Sequence, residues 1–313
     1  MPQTVVVAGG SGFVGREVVA RLAGAGHRVI VPTRRREAAR ALILLPTVDV
    51  VECDVTDSAT LGRLLRGADA MINLVGILNE SRRDTFARVH TSFARDAVAA
   101  CAGAGVRRYL HMSAHDAAAD APSHYLRSKG DAETIVTASP LAYTIFRPSV
   151  IFGRNDHLTC FFARLAKLMP VVALGGADAP LQPVWVEDVA RCIANSIRLD
   201  AAIRQRYELC GPVTYTLRAL VAWTLGAAGT PRPILPLPDS LARMLAAVLE
   251  RLPGRLLTRD NLASLAAATA CRGPFPALFG VVPTPLEALA PGWLAPDSAR
   301  SEYDVYRARV GRD

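Results

Sequence analysis

The chain has 313 residues, more than one compact domain usually holds, which predicts one large domain or two intimately joined ones. Hydrophobic residues at 51% and charged residues at 20% exclude a disordered or low-complexity chain. Of the 36 basic residues behind the net charge of +8, only Lys129 and Lys167 are lysines, and the arginines are scattered except for Arg34-Arg35-Arg36. That pattern reads as solvated surface, so a nucleic-acid partner is not expected.

Six cysteines (Cys53, Cys101, Cys160, Cys192, Cys210, Cys271) show no C-x-x-C and no short metal-like spacing. They are expected to be isolated small hydrophobes in a reducing compartment, with no metal. No basic leader precedes the first apolar strand, and no apolar run reaches the roughly 18 residues of a membrane span. A cytoplasmic location follows as the expectation, with peripheral attachment to the inner face of the cytoplasmic membrane left open.

In chain order, short β-branched runs at 4–8, 28–33, 48–53, 70–75, 107–112 and 143–146 alternate with helical segments such as 16–25 and 85–104. Alternation of this kind predicts an α/β fold with a doubly wound parallel sheet, and strands covered on both faces read as continuous apolar runs. The expected division is a dinucleotide-binding domain over 1–150 and a smaller, irregular substrate- or partner-binding region over 151–313. Residues 183–198 are expected to return to the first domain.

The first strand leads into Ala8-Gly9-Gly10-Ser11-Gly12-Phe13-Val14-Gly15, with three glycines at three-residue intervals between a strand and a helix. Gly9 permits a tight turn, Gly12 lets backbone approach a pyrophosphate, and Gly15 lets the helix pack on the strand. Phe13 and Val14 then begin a helix whose free N–H groups and positive dipole end face the phosphates. This context makes a dinucleotide site the expectation. At the end of the second strand, where a carboxylate would select NAD, the chain has Thr33 followed by Arg34 and Arg35. Guanidinium groups suit a 2′-phosphate, so NADP(H) is favoured over NAD(H). Asp54 and Val55 close the third strand beside the expected adenine, although Asp54 also suits a simple turn cap. Leu74-Val75-Gly76 ends the fourth strand, where backbone would approach the second nucleotide.

Ser113 ends the fifth strand, and Tyr125 and Lys129 stand four apart, on one face of the following helix. A neighbouring ammonium is expected to lower the phenol pKa, which suits an acid–base group working beside a nicotinamide. The bland alternative is that Tyr125 and Lys129 only hold ribose and helix packing. His111, His115 and His124 do not share a helical face, so they are not expected to bind metal. Asp239 or Ser240 is expected to cap a helix reaching Leu252. Its apolar stripe of Leu241, Met244, Leu245, Val248, Leu249 and Leu252 serves either as a buried face or as a docking face for a partner or membrane.

Together these motifs resemble an extended or atypical short-chain dehydrogenase/reductase. Phe146-Arg147-Pro148-Ser149-Val150-Ile151-Phe152-Gly153 and Pro183-Val184-Trp185-Val186-Glu187-Asp188-Val189-Ala190 continue the resemblance in order. It implies that Pro148 and Val150 lie beside the nicotinamide and that 186–189 start a helix against the site. Leu74-Val75-Gly76-Ile77-Leu78-Asn79-Glu80, Tyr125-Leu126-Arg127-Ser128-Lys129, Ile151-Phe152-Gly153-Arg154-Asn155-Asp156 and Leu256-Leu257-Thr258-Arg259-Asp260-Asn261-Leu262 are similar to the branch of NAD(P)H-binding accessory subunits of respiratory complex I. That branch implies bound nucleotide and partners among respiratory-chain subunits or the inner membrane surface, rather than turnover. Where active reductases of the superfamily commonly carry a proton-relaying Asn, this chain has His90, either a substitute relay or a satisfied helix residue. Two functions stand. One is an NAD(P)(H)-binding accessory or assembly factor with a retained Ser–Tyr–Lys site. The other is an active NADP-dependent oxidoreductase or epimerase on an unidentified small carbonyl, alcohol or sugar nucleotide.

Overall fold

The computed structural model describes residues 1–251 and 257–295. In chain order it runs β1 (Thr4–Ala8), α1 (Phe13–Gly24), β2 (Arg28–Thr33), β3 (Val48–Glu52), α2 (Ser58–Leu65), β4 (Ala70–Asn73), α3 (Phe93–Ala104), β5 (Arg108–Met112), α4 (His124–Thr137) and β6 (Ala142–Pro148). Then come β7 (Ile151–Phe152), α5 (Thr159–Leu168), β8 (Val172–Leu174), β9 (Pro180–Leu181), β10 (Val184–Trp185), α6 (Val186–Ser196) and β11 (Gln205–Leu209). The remaining elements used below are β12 (Tyr215–Thr216), α7 (Leu217–Ala227), β13 (Ile234–Pro236), α8 (Asp239–Leu249) and α9 (Arg259–Ala266).

Seven parallel strands form one sheet in the order β11-β6-β5-β4-β1-β2-β3. The strand order reverses between β1 and β4, and in open α/β sheets such a switch point opens a crevice at the strands' C-terminal ends. β1 and β4 are buried almost throughout, in keeping with their unbroken apolar runs. Leu61, Leu65, Met71, Phe93, Tyr109 and Ile145 pack one face. Over residues 87–92 the chain is a π-helix running into α3, a rare geometry that collects at functional sites.

The chain divides into two compact units. Among the described residues the first comprises 1–149, 186–210 and 271–282, and the second comprises 150–185, 211–251, 257–270 and 283–295. In the first unit α6 lies against α1, where Arg21 Nη2 reaches Glu187 Oε2 at 2.5 Å. The strand that rejoins the sheet is β11, paired in parallel with β6, whereas β10 pairs with β7 in the second unit. Arg108 ties this return to the sheet. Its buried guanidinium donates to the carbonyls of Ile197, Ser196 and Ala142 and to Thr144 Oγ1. Cys210 and Cys271 are joined by a disulfide, contrary to the expectation that every cysteine stands alone. They lie 61 residues apart, so no local spacing marks them.

The second unit has its own core, which includes Phe152, Phe162, Leu174, Leu181, Leu220 and Leu225. Within it α8 starts one residue earlier than a capped helix would. Pro238 is its N-cap, and neither Asp239 nor Ser240 caps it. The face it buries is Ala242 and Ala246, while Leu241, Met244 and Val248 remain 46–63% exposed. The cause is close approach: a Cβ on Gly175 would lie 2.7 Å from Ala242 Cβ, a spacing only small residues allow. Leu252 and Leu256 lie outside the described residues. Among the described residues no helix is long and apolar enough to cross a membrane.

Candidate functional site

The crevice at the switch point begins with the glycine turn. Gly9 sits at φ +81°, and a Cβ there would lie 2.8 Å from the Leu74 carbonyl group, so the turn after β1 can press against the one after β4 only as glycine. A Cβ on Gly15 would lie 2.2 Å from Gly9 O, which fixes α1 closely on the turn. Gly12 is exposed and is the N-cap of α1, with no side-chain cap and no acidic residue in the first turn. Phe13 and Val14 open the helix with their amides unclaimed by any side-chain cap.

Asn73 shapes the turn after β4. Its Nδ2 donates to Tyr109 Oη at 3.0 Å and its Oδ1 accepts from Val75 N at 3.1 Å, with His111 Nδ1 at 3.4 Å. This buried group holds Leu74, Val75 and Gly76 in place. Gly76 is exposed, and a Cβ on it would come 3.4 Å from Lys129 Nζ and 3.5 Å from His90 Nε2. The crevice therefore has a backbone wall that side chains would fill.

Beyond β2, Thr33 is buried, with its Oγ1 3.4 Å from Ser11 Oγ. The three arginines diverge. Arg36 turns to β3, donating to Val50 O and, through its amide, to Glu52. Arg34 meets Asp84 at 3.3 Å with its side chain 69% exposed, and Arg35 is exposed. An exposed pair of this kind contributes little stability and leaves the guanidinium free to exchange partners. Asp54 accepts from Thr56 N and Thr56 Oγ1 at 2.9 and 2.8 Å, and these bonds hold its carboxyl below the usual range. One carboxylate oxygen is thus engaged as a turn cap. Val55 packs partly buried against the sheet core.

Ser113 follows β5, anchored by its amide to Phe146 O, while its buried Oγ has no hydrogen-bond partner among the described residues. Tyr125 and Lys129 lie on α4, whose N-cap Ser123 accepts from Leu126 N. Lys129 is 3% exposed and donates to Met112 O at 3.0 Å. Burial pushes its ammonium down to about 8, against the upward pull of Glu133. Burial raises the Tyr125 phenol to about 12, opposite in direction to the expected lowering. The desolvation of both groups outweighs the attraction that their spacing on the helix suggested.

His90 is held at both ring nitrogens. Its Nε2 accepts from Ile77 N at 3.1 Å, so the proton sits on Nδ1, which donates to Ser128 Oγ at 2.8 Å. Ser128 Oγ in turn donates to Tyr125 O. Burial and the nearby Lys129 push the imidazole down to about 2, and its ring stacks on Phe86 and meets Tyr125 edge-on. Both ring nitrogens of this buried histidine are thus engaged within the protein. Glu133, also buried, forms a two-point pair with Arg147, which precedes buried Pro148 at the end of β6. Val150 opens the second unit.

The sequence reading missed Asn73, Tyr109 and Glu133 as determinants of the site. Asn73 lies within the expected fourth strand, but its partner Tyr109 comes from the neighbouring strand and leaves no mark in local spacing. A side-chain-free cradle, uncapped amides at a helix start and an orphaned buried hydroxyl together fit a nicotinamide dinucleotide.

Comparison with known proteins agrees. A family model described as NAD(P)H-binding matches residues 9–163. The alpha subcomplex subunit 9 of mitochondrial NADH dehydrogenase [ubiquinone] 1 from Rattus norvegicus is 33% identical over 295 residues, covering 90% of this chain and 77% of that protein. A protein named ceramide reductase from Caulobacter vibrioides is 32% identical over 186 residues, or 59% of this chain and 58% of that one. In fold, the chain is similar to the NADPH-dependent quinone oxidoreductase QOR2 of Escherichia coli, with a TM-score of 0.73 at 20% identity, over 91% of this chain and 98% of the other. The chain belongs to the NAD(P)H-binding family that includes alpha subcomplex subunit 9 of mitochondrial NADH dehydrogenase.

Proposed function

We propose that this protein holds NADP(H) as a structural ligand and acts as an accessory or assembly factor for a respiratory NADH dehydrogenase. The observation that carries the reading is the engagement of His90. With one ring nitrogen on Ile77 N and the other on Ser128, the site keeps its binding geometry while offering no proton path through that position. The high phenol of Tyr125 points the same way, as does likeness along most of the chain to a complex I subunit.

In this reading Gly9, Gly12, Phe13, Val14 and Gly15 take the diphosphate, Arg34 and Arg35 the 2′-phosphate, and Asp54 and Val55 flank the adenine. Leu74, Val75 and Gly76 lie along the second nucleotide, Tyr125 and Lys129 take its ribose, and Pro148 and Val150 border the nicotinamide. Peripheral association with the inner face of the membrane through respiratory-chain subunits belongs to the same proposal.

Two measurements test it. Mass spectrometry of nucleotide released from purified protein should find a dinucleotide bearing the 2′-phosphate, and Arg34→Ala/Arg35→Ala should weaken NADPH about tenfold or more while leaving NADH unchanged. Affinity capture from membranes should recover respiratory-chain subunits; capture of none sinks the accessory role. A second reading, an active reductase, is favoured by the buried, unpartnered Ser113 Oγ at the end of β5, together with Tyr125 and Lys129 on α4, the residue types a carbonyl substrate would need. There Ser113 would polarise the carbonyl, Tyr125 would supply the proton and Lys129 would hold the ribose, the chemistry supplied by a nicotinamide being hydride donation. Steady turnover of a small carbonyl that Tyr125→Phe abolishes would establish it.

A further inference from the structure

Cys210 ends one segment of the sheet-bearing unit and Cys271 begins the next, so residues 211–270 leave that unit and rejoin it at these two cysteines. Their Cα atoms are 6.4 Å apart, within the span a disulfide bridges, and the two sulfurs are bonded. Around the pair stands a set of groups that a plain covalent staple does not need. The His115 ring lies beside Cys271, with Sγ 3.7 Å from Nδ1 and 3.8 Å from Nε2. Two carboxylates flank that ring, Asp116 at 3.5 Å from Nε2 and Glu208 at 3.6 Å from Nδ1. Asp116 is a non-glycine residue at φ +60°, a backbone conformation that persists only where its surroundings demand it.

The remaining cysteines have no such setting. Cys101 and Cys192 are buried and pushed up to about 12, so they carry no thiolate, and Cys53 and Cys160 are also raised by burial. Cys271 is only half-buried and Cys210 is buried beneath it, the usual arrangement of an attacking and a resolving sulfur. The segment that Cys271 begins also has anchors of its own. Phe279 packs on Phe146 and Tyr207, and its carbonyl accepts from Asn195 Nδ2 at 2.8 Å. It can therefore stay seated with the bond open.

We propose that Cys210 and Cys271 are a reversible dithiol–disulfide couple, served by His115 as proton acceptor and donor, that exchanges with low-molecular-weight disulfides. In the oxidising direction Cys271 gives its proton to His115, and its thiolate attacks one sulfur of the small disulfide. The departing thiolate takes the proton back from the imidazolium and leaves as a thiol. Cys210 then attacks Cys271 Sγ, forming the internal bond and releasing the second small thiol together with the Cys210 proton. Two protein thiols become one disulfide and one small disulfide becomes two thiols, a two-electron exchange with no further reactant. The two sulfurs and a His115 ring nitrogen lie within 4.8 Å of one another, so metal capture by the reduced pair is the rival chemistry.

The test uses the full chain, equilibrated without denaturant against graded ratios of reduced to oxidised glutathione or dithiothreitol, with and without a chelator. Thiols are then alkylated and assigned by peptide mass. Cys210 and Cys271 should change together along a two-electron curve, with the other four cysteines unaltered. His115→Gln should keep the same end point and the same melting temperature while slowing exchange with oxidised glutathione about tenfold or more. The proposal is overturned if the bond resists every ratio in the folded protein, if it never forms, or if the reduced chain retains equimolar zinc against the chelator. Exchange of the His115 variant at the wild-type rate would remove His115 from it. Nucleotide content is measured in parallel, so failure here is separable from failure of the dinucleotide reading.

Discussion

Replacing Gly12 by alanine separates binding from folding. Gly12 has φ −78° and ψ −178°, extended backbone that alanine adopts without strain, and the new Cβ meets only Gly9 O, at 3.1 Å. Loss of glycine at a helix N-cap costs up to about 1 kcal/mol, so the variant should fold with a slightly lower Tm. With the diphosphate on this turn, the methyl group takes space that the phosphate needs at the start of α1. A phosphate displaced from the first amides there forfeits one or two hydrogen bonds to a charged group, each contributing about 1.5–3 kcal/mol. Taking about 3 kcal/mol in all, the Kd should rise on the order of a hundredfold. Calorimetric titration of wild type and variant with NADPH and NADH, alongside thermal melts, measures both quantities. Gly15→Ala is the contrast, because its Cβ would lie 2.2 Å from Gly9 O and 2.7 Å from Gly10 Cα. Those are backbone atoms, so that variant should lose fold stability and binding together. If Gly12→Ala binds NADPH within threefold of wild type, the diphosphate does not lie on this turn and the assignment of the site is wrong.

The buried ammonium of Lys129, held at about 8, should make cofactor affinity pH-dependent: its charge attracts the dinucleotide below that pH and is lost above it. Kd for NADPH should therefore rise between about pH 8 and 10, and Lys129→Met should flatten that dependence. Tyr125→Phe should weaken NADPH about two- to tenfold, the loss of one neutral hydrogen bond to the ribose, because burial keeps the phenol uncharged far above pH 7; an unchanged affinity would remove Tyr125 from the ribose site. His90 and His111 are both lowered by burial, to about 2 and about 3. Their folded-state values lie below the unfolded value, so their contribution is present above about pH 6.5 and lost as the pH falls toward those values. Chemical denaturation between pH 6.5 and 4 should show stability falling by about 1.4 kcal/mol per pH unit for each histidine, and His90→Gln should remove its share of the slope. A slope unchanged in that variant would show that the ring is protonated in the folded chain.

The sheet was legible because its central strands are covered on both faces, so β1, β2 and β4 stand out as apolar runs between turn residues. β11 was not. It is an edge strand reading Gln-Arg-Tyr-Glu-Leu, and only Leu209 is fully buried, so its composition looks like loop. Glycine spacing located the turn after β1 because φ and close approach are local demands. The direction of the Tyr125 shift was illegible for the opposite reason. Four-residue spacing gives proximity to Lys129, but desolvation depends on residues such as Phe86 that reach the ring from another helix. Pairing of Cys210 with Cys271 likewise depends on where a 60-residue excursion ends.

Arg108 has a consequence for how this protein assembles. Even with its value lowered to about 10 by burial, the guanidinium stays charged at neutral pH, and every acceptor it has is an uncharged oxygen. Two of those oxygens, from Ser196 and Ile197, arrive only when the end of α6 docks. A cation half-supplied with acceptors in an apolar interior is costly, so partly docked intermediates are penalised and the 186–210 return should lock into the sheet in a single cooperative event.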